Sequence, residues 1–429
     1  VTAPRPRVAR VRGLIVDLEP LRRDRDYRYL WLGQLVSGMG RQVTVVALPF
    51  QLYVLTRSPL AVGLLALVQL VAILGFALGG GALADAVDRR RLLLMTQIGL
   101  MICSLGLVAL AAQSTAPVAL YYLVAFAAAG IGAVDQPARS SAIPRLVPPE
   151  RLPAAISANQ LLFQTVSVVG PALGGVLIAT VGVSSAFLFD AVTFLAAIAA
   201  VLAISPIPPH PGAVRPGIET IREGLRFVGR QRVVLGSFVV DLDAMIFGMP
   251  MSLFPALALD VFHTGAIGVG LMTAAPAAGA LLMALFTGWT GRVRHPGRAV
   301  YIAVAVWGVA IVGFGLSTFS FPLALFCLAV AGGADVVSAV LRGAIVQFAT
   351  PDELRGRVMS VHTLVVTSGP RLGDAEAALV GALVGPTFSV VSGGILCLVG
   401  LGWVVRRFPD LGAYRNPVLD DAAAVPESA

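Results

Sequence analysis

The sequence predicts an all-α membrane protein, with about twelve transmembrane helices arranged as two six-helix, pseudo-symmetric halves. Three observations carry this expectation. Hydrophobic residues make up 57% and charged residues 13% of the 429 residues, and the mean hydropathy is +0.87; soluble domains carry about 25% charged residues. Apolar runs of about twenty residues recur along the chain, each long enough to cross a hydrocarbon core of roughly 30 Å. The second half also repeats features of the first. VPPERLPAAIS (147–157) aligns without a gap on TPDELRGRVMS (350–360), and the same offset places Arg139 on Arg342 and Gly170 on Gly373. A nearly equal offset places Gly63 on Gly270 and Gly81 on Gly288.

Residues 1–28 are basic and contain no apolar run long enough for a signal-peptide core, so they are expected to lie at the surface or be disordered. The first span, Leu30 to Leu55, carries Gln34, Arg41, Gln42 and Gln51. The second, Pro59 to Ala84, runs into GGGALADAVDRRR (79–91), which squeezes Asp85, Asp88 and three arginines between two spans. A tight, charged hinge is poor design for a passive anchor and suits two helices whose packing must change. Spans three and four follow at Leu92–Ala112 and Val118–Ser140, then the Pro-rich turn AIPRLVPPERLPAAIS, then spans five and six at Asn159–Val181 and Ser184–Ile204.

Residues 205–232 link the first half, 29–204, to the second, 233–407. Within the linker, Ile218, Ile221, Leu225 and Val228 share one side, the pattern of an amphipathic helix lying at the membrane surface. Spans seven to twelve are expected at 233–258, 265–287, 299–317, 322–347, 358–383 and 386–405, and 408–429 as a polar, flexible tail.

Every basic side chain is arginine, and the net charge is +8. Apart from Arg41, Arg57, Arg139, Arg342 and Arg371, all of them fall in the N-terminal segment, alternate connections and the C-terminal tail. This is the positive-inside distribution, which puts both termini in the cytoplasm. The charge therefore sets topology and argues for no nucleic-acid partner. Cys103, Cys327 and Cys397 form no CxxC pair, so neither a metal site nor a disulfide framework is expected. Without lysine there is neither a P-loop nor a Schiff base, and the four histidines form no HExxH. A membrane enzyme is disfavoured and no cofactor is called for. The lack of a large soluble domain disfavours a receptor or scaffold. Two six-span halves related in parallel are a transporter plan, with the site at the midplane between them.

Gly81-Ala-Leu-Ala-Asp85 followed by Asp88-Arg89-Arg90-Arg91 resembles the loop signature of the major facilitator superfamily between spans two and three, departing from it at Ala86 and Asp88. The resemblance implies a gate at the cytoplasmic side made by Gly81, Asp85, Asp88, Arg89 and Arg90, with Arg139 within reach of Asp85. Gly170-Pro171-Ala172-Leu173-Gly174-Gly175 resembles the antiporter motif of exporters in that superfamily. Pro171 removes a helix hydrogen bond and Gly170, Gly174 and Gly175 allow close backbone approach, although ordinary small-residue packing reads the same way. QPARSSAIPRLVPPERLPAA, FPALALDVF, TPDELRGRVMS and GPRLGDAEAALV together are similar to the enterobactin-exporter branch, which moves catecholate siderophores outwards, with macrolide and drug exporters as relatives. The resemblance implies a bacterial inner-membrane exporter, monomeric, with a small-molecule substrate, protons and the lipid bilayer as its partners.

Ionisable residues inside spans cost about 2.5–3.5 kcal/mol on insertion scales and default to functional hypotheses. Arg41, with Gln34 and Gln42, is a candidate for binding an anionic cargo or for an ion pair to another span. Asp135 and Arg139 are four apart and pair along one face. Asp190 on span six has no evident partner in the sequence, which leaves an interfacial position open to it. Asp241 and Asp243 point to different sides, so at most one faces a cavity; Asp335 and Arg342 face the same way. Arg371, Asp374 and Glu376 cluster on span eleven, where Arg371 and Asp374 meet at i, i+3. Such a pair suits a proton carrier that trades its proton for an arginine contact. Asp374, Glu376, Asp241 and Asp335 are the proton-coupling candidates. Arg371, Phe163 and Phe247 join Arg41 as candidates for the cargo site; Phe163, Phe247 and Phe254 suit an apolar cavity wall, and lipid-facing or core packing reads the same way.

Overall fold

The computed structural model describes residues 17–86, 88–113, 115–208, 218–416 and Leu419, of which 77–86, 218–221 and Thr287 are described by backbone alone. The structure is all-helical among these residues. Its long helices are α1 (Arg25–Thr56), α2 (Pro59–Ala86), α3 (Arg89–Ala111), α4 (Val118–Leu146), α5 (Leu152–Val181), α6 (Val183–Ala203), α7 (Arg232–Phe247), α8 (Gly265–Ala284), α9 (Pro296–Leu316), α10 (Phe321–Ala349), α11 (Asp352–Val384) and α12 (Pro386–Arg407). Among the described residues ten segments are long and apolar enough to cross a membrane. The two long helices that fall outside this group, α1 with 32 residues and α11 with 33, hold Gln34, Arg41 and Gln42, and Arg371, Asp374 and Glu376. At 1.5 Å per residue both are long enough to span; their polar content lowers their hydropathy.

The packing repeats with a step of six helices. In the first six, α1 packs on α5 and α6, α2 on α4, and α3 on α4 and α6; in the second, α7 packs on α11 and α12, α8 on α10, and α9 on α10 and α12. The halves meet chiefly along α2 with α11 and α5 with α8, equivalent pairs under the same step. The face with the α2–α3, α4–α5, α6–α7, α8–α9 and α10–α11 connections is called the hinge face below, and the other the far face.

Several boundaries differ from the sequence reading, each for a local reason. The Pro-rich turn shrinks to residues 147–151 because α4 continues through Pro144 and α5 starts at Leu152. Pro153 sits in the first turn of α5, where its missing N–H is no loss. Asp24 pairs with Arg151 at 2.8 Å, and the Tyr27 hydroxyl donates to the Ala155 carbonyl at 2.7 Å, pinning the start of α1 to α5. Beyond Phe247 the seventh span breaks: Gly248 and Pro250 interrupt the helix, a short turn Met251–Leu253 follows, and the chain re-enters at Phe254–Ala256 and a π-turn at Leu257–Val261.

The linker helix, Ile218–Arg230, docks on α11. Glu223 pairs with Arg357 at 2.6 Å, and Val228 is buried with Val358 and Val361, while Leu225 is half exposed. The buried face is therefore that of Gly224 and Val228. Ile218 and Ile221, expected on it, have side chains outside the described set. The start of the expected tail is docked as well: Pro409–Ala413 is helical, Leu411 is buried, and Arg232 pairs with Asp410 at 3.2 Å.

Candidate functional site

A cavity of about 960 Å³ lies between the halves, walled by α1, α2, α3 and α4 on one side and by α8, α11 and the break after α7 on the other. Its wall is largely apolar, with Val62, Leu65, Ala128, Phe254 and Val269 among the lining residues. Polar groups enter at Arg41, Gln69, Gln136, Ser252, Thr273, Arg371 and Asp374. Ser140 and Ser360, close to the hinge face, belong to the same wall.

Toward the far face the halves close on each other. A methyl added at Gly175 of α5 would lie 2.8 Å from the Ala266 carbonyl oxygen and 3.1 Å from the Gly270 Cα of α8, so only glycine permits this approach. Gly63 of α2 sits in the same way against Ala378 of α11. Between the end of α1 and the π-turn, Arg57 pairs with Asp260 at 3.6 Å and the Tyr53 hydroxyl donates to the Asp260 carboxylate.

The break after α7 builds the polar centre of the second half. Irregular backbone at membrane depth is tolerated where it lines a cavity. Here the Ser252 N–H donates to Asp374 Oδ1 at 2.7 Å, and the Ser252 hydroxyl donates to the Asp374 carbonyl oxygen at 2.7 Å. Arg371 does not pair with Asp374; its Nη1 donates to the Thr367 carbonyl at 3.2 Å. Glu376 is half-buried on α11 and off the cavity wall.

In the first half, Arg139 Nη2 donates to Asp135 Oδ2 at 2.8 Å, both side chains being buried, while Thr96 and Gln97 each donate to Asp135 Oδ1 at 2.7 Å. Asp190 is not interfacial: it is buried between α1, α3 and α6, accepting from Thr44 at 2.7 Å and Ser104 at 2.8 Å. Its partners lie 146 and 86 residues away, so no local pattern reveals them. In the second half Asp241 forms a buried ion pair with Arg342, whose other Nη is 3.9 Å from Asp335. This group lines a separate small cavity between α7, α9 and α10, not the central one. Asp243 lies against Gly400 of α12, so neither aspartate of that pair reaches the central wall.

Of the cargo candidates, Arg41 and Arg371 line the cavity; Gln34 does not, and Gln42 turns to Ser167 of α5 at 3.4 Å. Phe163 is 58% exposed on the outside of α5 and Phe247 packs into the core, whereas Phe254 is on the wall. Gln69, Gln136 and Ser252 were missed; isolated polar residues in apolar spans, and Pro250 as a break signal, were the available clues.

Of the gate candidates, Gly81 and Asp85 have side chains outside the described set. Asp88 Oδ1 accepts the Arg91 N–H at 3.1 Å and caps α3. Arg89 donates to the Ser141 hydroxyl at 2.9 Å, and Arg90 donates to the Val201 carbonyl at 3.0 Å and the Leu202 carbonyl at 2.6 Å. Cations at a helix C-terminus satisfy its orphan carbonyls and complement its dipole, so Arg90 ties the start of α3 to the end of α6, while Arg89 ties it to α4 through Ser141. In the glycine motif, methyls at Gly170 and Gly174 would strike Gln42 and Val43 of α1, whereas Gly175 faces α8 across the interface.

A family model described as transmembrane secretion effector matches residues 15–415. Enterobactin exporter EntS of Citrobacter koseri is 28% identical, the alignment covering 94% of this chain and 96% of that protein. Its counterpart in an Escherichia coli O81 strain is 27% identical, covering 90% and 93%. Among solved structures, a bacterial homologue of the iron transporter ferroportin in an inward-facing state superposes with a TM-score of 0.67 at 17% identity, covering 91% of this chain and 99% of that one. A bacterial homologue of the human lysosomal transporter Spinster, inward-facing and unoccupied, gives 0.68 at 16% identity, covering 90% and 98%.

Proposed function

From the premise that the chain belongs to the transmembrane secretion effector family of the major facilitator superfamily, a family of transporters and not enzymes, we propose that it exports a small molecule by proton antiport and alternating access. The coarse statement, a multi-pass efflux transporter, follows from membership. The single observation supporting the mechanism is the central cavity, sealed toward the far face by the α2–α11 and α5–α8 crossings and lined close to the hinge face by Ser140 and Ser360. With the arginine-rich connections cytoplasmic, this is the state that receives cargo from inside a bacterial inner membrane. The cargo class suggested by the exporter relatives is a catecholate siderophore; the largely apolar wall equally suits an apolar drug.

Asp374 is the proposed proton carrier, because among the described residues it is the one acid on the cavity wall and its carboxylate is held by the backbone of the α7 break. Protonation would weaken its hold on Ser252 and link proton binding to the hinge of a broken helix. Everted vesicles carrying the wild-type chain should show cargo uptake that collapses with a protonophore. Asp374→Asn should abolish gradient-driven accumulation while leaving cargo exchange at equal concentrations within about threefold. Uptake that survives full uncoupling would contradict proton drive.

A further inference from the structure

Among the described residues three ionisable side chains stand on the wall of the central cavity: Arg41 on α1, Arg371 on α11, and Asp374 nearly one turn further along α11. The carboxylate is committed to the Ser252 amide. The guanidiniums are not so satisfied. The Nε of each is buried without a hydrogen-bond partner, and Arg371 places only one N–H on the Thr367 carbonyl. The acids nearest Arg41 are turned elsewhere, Asp135 to Arg139, Thr96 and Gln97, and Asp190 to Thr44 and Ser104, leaving only Asp190 Oδ1 open. The fully buried arginines, by contrast, are engaged: Arg139 by Asp135, Arg342 by Asp241, Arg89 by Ser141. A guanidinium presents five N–H donors in a fixed fork suited to planar anions, and an uncompensated buried charge is costly. Arg41 and Arg371, partly buried and with their Nε atoms unpartnered, both face the cavity, one from each half.

We infer that Arg41 and Arg371 form an anion-binding pair that grips an acidic organic cargo between the two halves. The inference rests on the exporter reading and narrows its cargo to organic anions whose negative groups supply the missing counter-charges. The apolar wall around Leu48, Val62, Val124 and Phe254 takes the carbon skeleton. Because the arginines belong to opposite halves, an anion that bridges them favours the state in which the hinge-face ends of the halves approach. An empty cavity lacks that tether. Binding energy spent only in the closed state is what moves such an equilibrium.

The test uses the purified full-length chain in detergent micelles and two fluorescent probes. One is 1-anilinonaphthalene-8-sulfonate; the other is N-phenyl-1-naphthylamine, the same rings without the sulfonate. Titrations are read against protein-free micelles. Arg41→Gln and Arg371→Gln should each weaken sulfonate binding by roughly tenfold and leave the neutral probe within about twofold, with Arg41→Lys and Arg371→Lys retaining part of the affinity. Unchanged neutral-probe binding marks the variants as folded. Equal weakening of both probes in a variant of native helical content, or sulfonate affinity untouched by either glutamine, would overturn the inference. Arginine-dependent sulfonate binding without any gradient-driven flux would sink the exporter reading alone, whereas proton-driven flux with no arginine-dependent anion preference would sink this inference alone.

Discussion

Arg139 and Arg342 occupy equivalent positions of the repeat, and both end in buried ion pairs, but with different partners. Arg139 takes Asp135 from its own helix, and Arg342 takes Asp241 from α7. Breaking a buried pair by removing one member costs about 3–5 kcal/mol, whereas replacing both members by apolar groups is often neutral. Arg139→Met should therefore lower the melting temperature of the detergent-solubilised protein sharply, and Asp135→Leu combined with Arg139→Met should recover most of the loss. If transport returns along with stability in the double variant, Arg139 is a packing residue; if stability alone returns, its gate role stands. The i, i+4 spacing made this pair legible in the sequence. The contacts of Asp190 were not, because Thr44 and Ser104 come from other helices. The same i, i+3 logic misjudged Arg371 and Asp374, since the helix break after α7 offers Asp374 a backbone donor closer than the guanidinium.

At the level of elements, the glycine motif of α5 divides its labour. Gly170 and Gly174 let α5 lie on α1 within one half, and Gly175 lets it cross α8 of the other. A leucine at Gly175 meets the Ala266 carbonyl and the α8 backbone, which cannot give way as a flexible side chain can. Gly175→Leu should hold the far face open: a cysteine at Thr56, beyond the crossing, becomes more reactive to a membrane-impermeant maleimide added from the far side, and transport falls by about tenfold or more. Unchanged labelling with normal flux would remove the crossing from the gate. The motif was visible in the sequence, but which glycine serves which neighbour was not, because helix rotation is set by packing. The break at Gly248–Pro250 had a sequence signal in Pro250; the apolar residues that continue on both sides of it, through Met245–Phe247 and Leu253–Ala258, masked it.

For the molecule as a whole, composition and the apolar runs were enough to read an all-helical membrane fold, and the shared offsets of VPPERLPAAIS and TPDELRGRVMS were enough to read two related halves. The interface was not legible: which helices cross between halves depends on shape, and the aligned glycines Gly63 and Gly270, which sit at the two crossings, do not by themselves name the helix each one meets. The central claim is that the halves rock about the cavity, exposing it to one face at a time. Distance measurements by double electron–electron resonance test it most directly, on a chain freed of Cys103, Cys327 and Cys397 and held in lipid nanodiscs. One spin-label pair reports the hinge face, at Ser140 of α4 and Ser360 of α11; the other reports the far face, at Thr56 of α1 and His263 after the π-turn. The account predicts that on changing pH with cargo present the first distance shortens while the second lengthens. Two distances that stay fixed, or that widen together, in protein that transports would contradict it.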